Sequence, residues 1–294
     1  MDYNAFKTKL KELIQKTLGE EYSVSLCQIP KNNGILRESM IIRRKAEESV
    51  PAMYLKPYYE AFLKGAPFDE LVWKMVKEYK NGKEISISLP AFFEEYEKVS
   101  AFICFRLINY EKNREMLKEL PHRKIMDLAL VYYFRIEEDS GQSGTLLIYN
   151  LHIKMWKVTE EELYDQAREN TCRLLPPCMV GMMQLIREMT GEIFQEEKEE
   201  TMFVLTNREK YFGAVCFLYP RVLEQVSAFL KSSFYILPSS IHESIIVPDS
   251  GRFFPEDLKL IVQDVNSHYV AGEEVLSDQI YYYDKEQKIL RAEK

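Results

Sequence analysis

One stretch constrains the fold of this chain more than any other, because it is the clearest β-hairpin in the sequence. In "DLALVYYFRIEEDSGQSGTLLIYNL" (Asp127 to Leu151), two apolar runs flank "EDSGQSG". The Asp, Ser and Gly residues of that segment tolerate the backbone angles of tight turns. The pattern therefore predicts two antiparallel strands joined by a short loop.

Similar hairpins recur along the chain, and each is followed by an amphipathic helix. The three units lie near residues 22–65, 128–174 and 234–270, and the last two helices close on the similar strings "ARENT" and "QDVNS". The capping-box spacing of Thr159 and Glu162, and Pro255 in a first turn, predict where these two helices begin. The sequence therefore predicts an α+β fold, with antiparallel sheets from β-hairpins covered by amphipathic helices. A repeated hairpin-helix unit is a hypothesis at this point.

Periodicity also predicts elements between these units. The chain opens with an amphipathic helix that Asp2 or Asn4 can cap and that Gly19 ends. We expect a helical region from Pro51 that includes Tyr54, a short strand at "EISISL", and helices at "PAFFEEYEKV", "MVGMMQLIREM" and from Pro220. Because a β-rich stretch begins at "SAFICFRLINY", we predict a helix-hairpin-helix subdomain over 1–99 and an α+β domain over 100–294.

Composition narrows the class of protein. Of the 294 residues, 46% are hydrophobic and only 11 are Gly and 12 Pro, which is typical of a globular chain rather than a linker. A net charge of -7 disfavours nucleic-acid binding, which depends on clustered Lys and Arg. The acidic run "QEEKEE" is expected to be solvated.

Targeting signals and cysteine usage predict the compartment. The charged amino terminus lacks the apolar centre of a signal peptide, and no run approaches about 18 apolar residues. The 5 cysteines form no C-x-x-C pair, which favours a reducing compartment. We therefore expect a cytoplasmic protein that does not bind a membrane.

"LPSSIHESIIVP" (Leu237 to Pro248) holds the first candidate site, Ser240 and His242. In one extended strand these two side chains project together while Glu243 points away, so the string cannot form a catalytic triad without a distant acid. The alternative is structural, with the serines bonding the turn backbone and the histidine at a strand end.

"PHRKIMD" offers His122 and Asp127 as the second candidate. On a helix the two side chains would lie about 140° apart, so they would not share a face. A loop at a strand entry can still bring them to His242, although such loops also carry ordinary polar residues.

Two further strings carry arginine after a β run: "LTNREKYFG" with Asn207 and Arg208, closed by Gly213, and "EKNREML" with Arg114. A guanidinium there can recognise carboxylate or phosphate, or make an ordinary surface ion pair. Phosphate loops, dinucleotide fingerprints, the G-x-S-x-G elbow and zinc-ligand spacings are absent from the sequence, so we predict no cofactor and no metal.

Four strings taken in order, "DLALVYYF", "FVLTNREKYFGAVCFL", "YILPSSIHESIIVP" and "LSDQIYYYD", resemble a family of uncharacterised proteins (a domain of unknown function) from anaerobic Gram-positive bacteria. The resemblance spans roughly residues 100 to 290, and the first hundred residues match less clearly. It implies a bacterial cytoplasmic setting and transfers no catalytic residue.

The leading functional hypothesis is a non-enzymatic binding or regulatory protein with a protein partner, such as an accessory of a mobile element or of host defence. The first alternative is a hydrolase that uses Ser240 and His242 with a remote acid such as Asp127. The second alternative is a small-ligand sensor that uses Arg208 or Arg114.

Overall fold

The computed structural model describes residues 1–44, 52–82, 94–137, 143–191 and 201–293. They form two compact units, one of Met1–Lys31 with Ile35–Ala91 and one of Asn32–Gly34 with Phe92–Lys294. The strand expected at "EISISL", the start of the helix at "PAFFEEYEKV" and the acidic run lie outside the described residues. The division into domains at residues 99 and 100 stays a prediction.

The first unit is a three-stranded antiparallel sheet with helices. Its elements are α1 (Tyr3–Leu18), β1 (Tyr22–Pro30), β2 (Leu36–Arg44), β3 (Ala52–Tyr54), α2 (Lys56–Leu63) and α3 (Phe68–Gly82), with strand order β1-β2-β3. The Asp2 carboxylate accepts a hydrogen bond from the Ala5 N–H at 2.8 Å and so caps α1. Helix and sheet bury a shared core that includes Phe6, Leu10, Ile14, Met40 and Tyr79.

One expectation for this unit is wrong. Tyr54 does not lie in a helical region that begins at Pro51, because Ala52–Tyr54 form β3 and pair with β2, Ser39 opposite Tyr54. The helix begins at Lys56 instead. Pairing with a neighbouring strand overrides the helical periodicity of such a short segment.

The second unit contains two antiparallel sheets. Its strands are β4 (Ile103–Asn109), β5 (His122–Ile125), β6 (Leu128–Glu137), β7 (Ser143–Leu147), β8 (Pro177–Gly181), β9 (Phe203–Asn207), β10 (Phe234–Leu237), β11 (Ser244–Pro248), β12 (Tyr281–Asp284) and β13 (Ile289–Ala292). In the four-stranded sheet, β6 pairs with β4, β5 and β7. The six-stranded sheet has the order β13-β12-β10-β11-β9-β8.

The α-helices of this unit in the described residues are α4 (Tyr96–Val99), α5 (Arg114–Leu117), α6 (Asn150–Trp156), α7 (Glu160–Leu174), α8 (Met182–Thr190), α9 (Val222–Leu230) and α10 (Pro255–His268). Helices of this set cover both sheets. Helix α7 packs on the four-stranded sheet, where the Tyr164 and Phe105 rings stack with centroids 6.2 Å apart. Helix α10 buries Leu258 and Val262 against the six-stranded sheet.

The α+β prediction is confirmed: hairpins β1–β2, β6–β7 and β10–β11 are present in the described residues, and helices cover antiparallel sheets. The capping box of α7 is also confirmed, since Thr159 and Glu162 bond each other's backbone N–H. That the three hairpin-helix segments are repeats of one another stays a hypothesis.

Two helix boundaries predicted from the sequence are wrong in this unit. Met179 to Gly181 lie in β8 rather than in a helix, because that segment pairs with β9. The helix expected from Pro220 begins at Val222, after Arg221 adopts a left-handed φ of 64°.

Candidate functional site

The link from Pro238 to Glu243 is not part of one extended strand, so the predicted alternation of its side chains does not run through it. Strand β10 ends at Leu237 and β11 begins at Ser244. Between them the backbone bonds residues 274–277: Ser277 N–H donates to Pro238 O at 3.0 Å, Leu276 N–H to Ser239 O at 2.8 Å, and Ile241 N–H to Glu274 O at 2.9 Å. The chain bends at Ile241 and His242 because proline cannot continue the ladder and the link pairs elsewhere.

Ser240 and His242 are close in the chain, but no hydrogen bond joins the imidazole to the Ser240 hydroxyl. The Ser240 Oγ accepts a hydrogen bond from the backbone N–H of His242 at 3.0 Å. His242 Nδ1 accepts the Phe212 N–H at 3.3 Å, and its Nε2 lies 3.7 Å from a carboxylate oxygen of Glu274. An accepting Nδ1 places the proton of the neutral ring on Nε2, so neither nitrogen is set to take the Ser240 proton.

His122 and Asp127 have other partners. His122 lies on β5, where its Nδ1 is 2.8 Å from Leu120 O. Asp127 accepts hydrogen bonds from Ser277 Oγ at 2.5 Å and from the Tyr281 hydroxyl at 2.6 Å. Among the described residues, no hydrogen bond or ion pair joins His122, Asp127 and His242.

Asn207 is buried and organises the loop that follows it. Its Oδ1 accepts the N–H groups of Glu209 (3.1 Å) and Tyr211 (3.3 Å), and its Nδ2 donates to Tyr211 O at 2.7 Å. Arg208 is exposed. Arg114 is exposed too and lies 3.5 Å from Glu111 one turn away.

The segment Arg208 to Phe212, here called the 208–212 loop, has a strained backbone. Lys210 and Phe212 have positive φ values of 54° and 53°, a region that costs free energy for side chains other than glycine. Gly213 ends the loop where no side chain fits: a Cβ there would lie 2.2 Å from Thr206 Oγ1, 2.6 Å from Asn207 N and 2.7 Å from His242 O. The contacts around the loop therefore offset the cost of its two left-handed residues.

Arg106 lies beside this loop, on β4. Its guanidinium carbon is 4.3 Å from the centroid of the Phe212 ring, and the His242 ring stacks nearly parallel to Phe212, with centroids 5.7 Å apart. The Arg106 Nε is buried without a hydrogen-bond partner, and no carboxylate of the described residues makes an ion pair with this side chain. Burial lowers the pKa of Arg106, and Tyr211 and Tyr133 oppose that shift.

A second arginine, Arg135, shares the sheet face. Arg106 pairs with Val131 on β6, so Arg106, Tyr133 and Arg135 project to the same side. Arg135 borders a cavity of about 310 Å³, into which the 208–212 loop places Glu209 and Tyr211. Arg135 Nη2 donates to Glu209 Oε1 at 2.6 Å. Tyr133 and Tyr211 line this cavity and also neighbour Arg106.

We call Arg106, Tyr133, Arg135, Glu209, Tyr211 and Phe212 together the arginine site. Two planar guanidinium groups beside aromatic rings suit a carboxylate or a phosphate. The sequence hypothesis named the loop through Asn207 but missed both arginines. The sequence contained a signal for them, because "ICFRLIN" and "YYFRIE" each carry one cation inside a mostly apolar strand.

Three further features limit the kinds of site that the described residues can form. Within the described ranges, no group of three or more His, Cys, Asp or Glu side chains is arranged to hold a metal ion. The same residues include no helix of the length and hydrophobicity needed to cross a membrane. All five cysteines are free thiols.

Comparison with known proteins returned one result. The model of a family of unknown function, DUF5688, matches residues 3–285. The match includes the first hundred residues, which the resemblance from sequence strings covered less clearly. No curated protein and no solved structure matches the chain.

Proposed function

This chain belongs to the family of unknown function DUF5688, and because that description assigns no reaction, we propose from the geometry that it is a non-enzymatic binding or regulatory protein for a small anionic ligand. The observation that carries the proposal is Arg106, a largely enclosed guanidinium with a buried Nε that has no acceptor among the described residues.

A guanidinium in such surroundings is costly unless its charge and donors are compensated. Removing an isolated cation from water costs several kcal/mol or more, and Arg keeps its charge at every physiological pH. The Phe212 ring offsets about 0.5–2 kcal/mol of this cost through a cation–π contact, but it accepts no strong hydrogen bond. A carboxylate or phosphate supplies both charge and acceptors.

Access to the site supports the same conclusion. Arg106 is not fully enclosed, since part of its side-chain surface remains accessible. Tyr133 and Tyr211, which neighbour it, also line the adjacent 310 Å³ cavity. A ligand in that cavity would contact Arg135, which lines it, and would lie beside the two tyrosines that neighbour Arg106.

Thermal unfolding with a panel of anions tests the proposal. Acetate, succinate, benzoate and inorganic phosphate are added to the wild type, to Arg106→Met, which keeps an apolar stem, and to Arg106→Lys, which keeps the charge but not the planar fork. A ligand at 100 times its Kd stabilises the folded state by about 2.7 kcal/mol. We expect Arg106→Met to fold and to lose this response.

Arg208→Ala and Arg114→Ala are the matched controls, because they remove exposed arginines. They also test the sensor hypothesis that placed the ligand at these two residues. A response that persists in Arg106→Met but disappears in either control would move the ligand site away from β4 and contradict our proposal.

A second candidate function, binding of a protein partner, is favoured by a groove of about 490 Å³ along β8. Phe203 and Leu205 of β9 and the Val222, Val226 and Phe229 face of α9 line the groove, and Phe229 is 63% exposed. Strand β8 ends the six-stranded sheet in the described residues.

The hydrogen-bond register shows which backbone groups of β8 face outward. Arg208 N–H donates to Pro176 O at 3.2 Å and Met182 N–H to Met202 O at 2.9 Å, so even-numbered residues bond β9. Met179 and Gly181 therefore direct their N–H groups to the open edge. An extended peptide with apolar residues at alternate positions can add to this edge and fill the groove.

A pull-down compares wild type with Phe229→Asp, and uses Leu260→Asp as a control because Leu260 is equally exposed, at 64%, on another helix. A stoichiometric partner that Phe229→Asp loses and Leu260→Asp retains supports the groove. Equal recovery by all three proteins contradicts it.

The hydrolase hypothesis has a direct test. Equal turnover by wild type and His242→Ala across esterase, peptidase and nuclease substrates would contradict the hydrolase hypothesis. A bacterial and cytoplasmic setting, and a role beside a mobile element or in host defence, remain proposals that rest on the resemblance and on the free thiols.

A further inference from the structure

We infer that the ligand of the arginine site carries a carboxylate, and that Glu209 is its built-in competitor on Arg135. The inference rests on the proposed function and adds to it the chemical class of the ligand and a means of regulating the site. On this reading, a ligand binds by replacing the Glu209 carboxylate, and the 208–212 loop moves with the displaced side chain.

The geometry of the ion pair points to a carboxylate. The Arg135 side chain is 13% exposed and stays recessed in the cavity wall, whereas Glu209 is 43% exposed and reaches it from the loop. Arg135 Nη2 lies 2.6 Å from Glu209 Oε1, so the guanidinium in its present position can donate a hydrogen bond to a carboxylate. The remaining wall is mainly Leu175 and two tyrosine rings, which suits an organic acid with an apolar or aromatic body.

The Glu209 contact is weak enough to be displaced. Ion pairs with a partly exposed partner contribute little stability, because water and salt screen them and the side chains lose entropy. A second carboxylate in the cavity would repel Glu209 at close range. Ligand binding therefore competes with the Glu209–Arg135 ion pair and favours release of the loop.

The loop is built so that this exchange has consequences. Its five residues contribute Glu209 and Tyr211 to the cavity and Phe212 to the Arg106 contact. Two of these five residues have left-handed φ, so the loop conformation depends on the contacts that hold it. When Glu209 leaves Arg135, the loop loses one of the contacts that hold it. The hydrogen bonds from Asn207 to Tyr211 and from Phe212 to His242 remain.

Two measurements on Glu209→Gln test the inference. The first is calorimetric titration with benzoate, acetate and inorganic phosphate. The second is limited trypsin cleavage, because Arg208 and Lys210 are exposed and flank Glu209. Glu115→Gln is the matched control, since it also removes an ion pair of 2.6 Å, to Lys118, in an exposed helix.

We expect Glu209→Gln to bind benzoate about two- to fivefold more tightly than the wild type, the range expected for loss of a competing surface ion pair. Trypsin should cleave the loop faster in Glu209→Gln, and also in the wild type when benzoate is present. Arg135→Lys keeps the charge but removes the fork, so it should weaken benzoate binding. Glu115→Gln should behave like the wild type in both assays.

Other outcomes separate the two proposals. If phosphate binds and carboxylates do not, or if benzoate binds wild type and Glu209→Gln equally, this inference fails and the proposed function stands. If no probe binds any of these proteins, both fail. Unchanged cleavage of the loop in Glu209→Gln would contradict the role of Glu209 in holding the loop, whatever the binding result.

Discussion

Gly213→Ala tests whether the close packing around the 208–212 loop is rigid. The added Cβ would lie 2.2 Å from Thr206 Oγ1, 2.6 Å from Asn207 N and 2.7 Å from His242 O, and all three are shorter than real Cβ contacts. Gly213 itself has no positive φ, so alanine adds a steric clash and no backbone strain. The substitution thus isolates packing as the cause of any effect.

The expected cost follows from what must move. Overpacking a tight site costs about 1–3 kcal/mol. Thr206 Oγ1 must also rotate away, which breaks its 2.8 Å hydrogen bond to His242 O and costs about 1 kcal/mol more. We therefore expect the free energy of unfolding to fall by roughly 2–4 kcal/mol. The melting temperature should fall by about 2–4 °C for each kcal/mol.

Urea unfolding measures this loss, with Gly144→Ala as the matched control in the same unit. A Cβ at Gly144 would lie 3.8 Å from Ile136 Cβ, an ordinary contact, so this variant should stay within about 0.5 kcal/mol of the wild type. If Gly213→Ala matched the Gly144→Ala control, the loop would yield to the added methyl group. Rigid surroundings would then not be what holds the strained backbone, contrary to the expectation.

Three further predictions concern stability and reactivity. Asp127→Asn should lose about 1.5–3 kcal/mol in urea unfolding, because the Tyr281 hydroxyl donates to that carboxylate at 2.6 Å; stability equal to wild type would contradict this. Burial, helped by nearby carboxylates, raises the pKa of Tyr132 and Tyr281 above the value of about 10 for unfolded tyrosine. The unfolded chain therefore releases these protons first as pH rises, so stability is full below about pH 10 and should fall above it, and a flat melting temperature there would refute the assignment. Burial raises the pKa of Cys216 to about 12, so an alkylating reagent followed by mass spectrometry should modify the partly exposed Cys27 well before Cys216.

Local patterns were sufficient for most of the fold. Thr159 and Glu162 mark the start of α7, and Pro255 that of α10, because capping and proline chemistry act within one turn of helix. The hairpins were likewise readable from alternation and turn residues, which act over a few positions. These signals are short in range, so the order of residues alone carries them.

Two short strands could not be predicted from local patterns. Residues 52–54 and 179–181 were expected in helices, yet both pair with a neighbouring strand. A three- to five-residue segment has little preference of its own, and its conformation depends on whether a partner strand lies beside it. That partner is a property of the folded chain.

The arginine site shows the same limit in functional terms. Arg106 and Arg135 come from different strands of one sheet, while Glu209 and Phe212 follow a strand of the other sheet. Their residue types are visible in the sequence, but the burial of the Arg106 Nε, which has no acceptor among the described residues, depends on atoms about a hundred residues away. The chemistry of a side chain depends on the groups around it, and folding brings those groups together. Only the tertiary structure decides it, because charge, burial and access are set by distance in space.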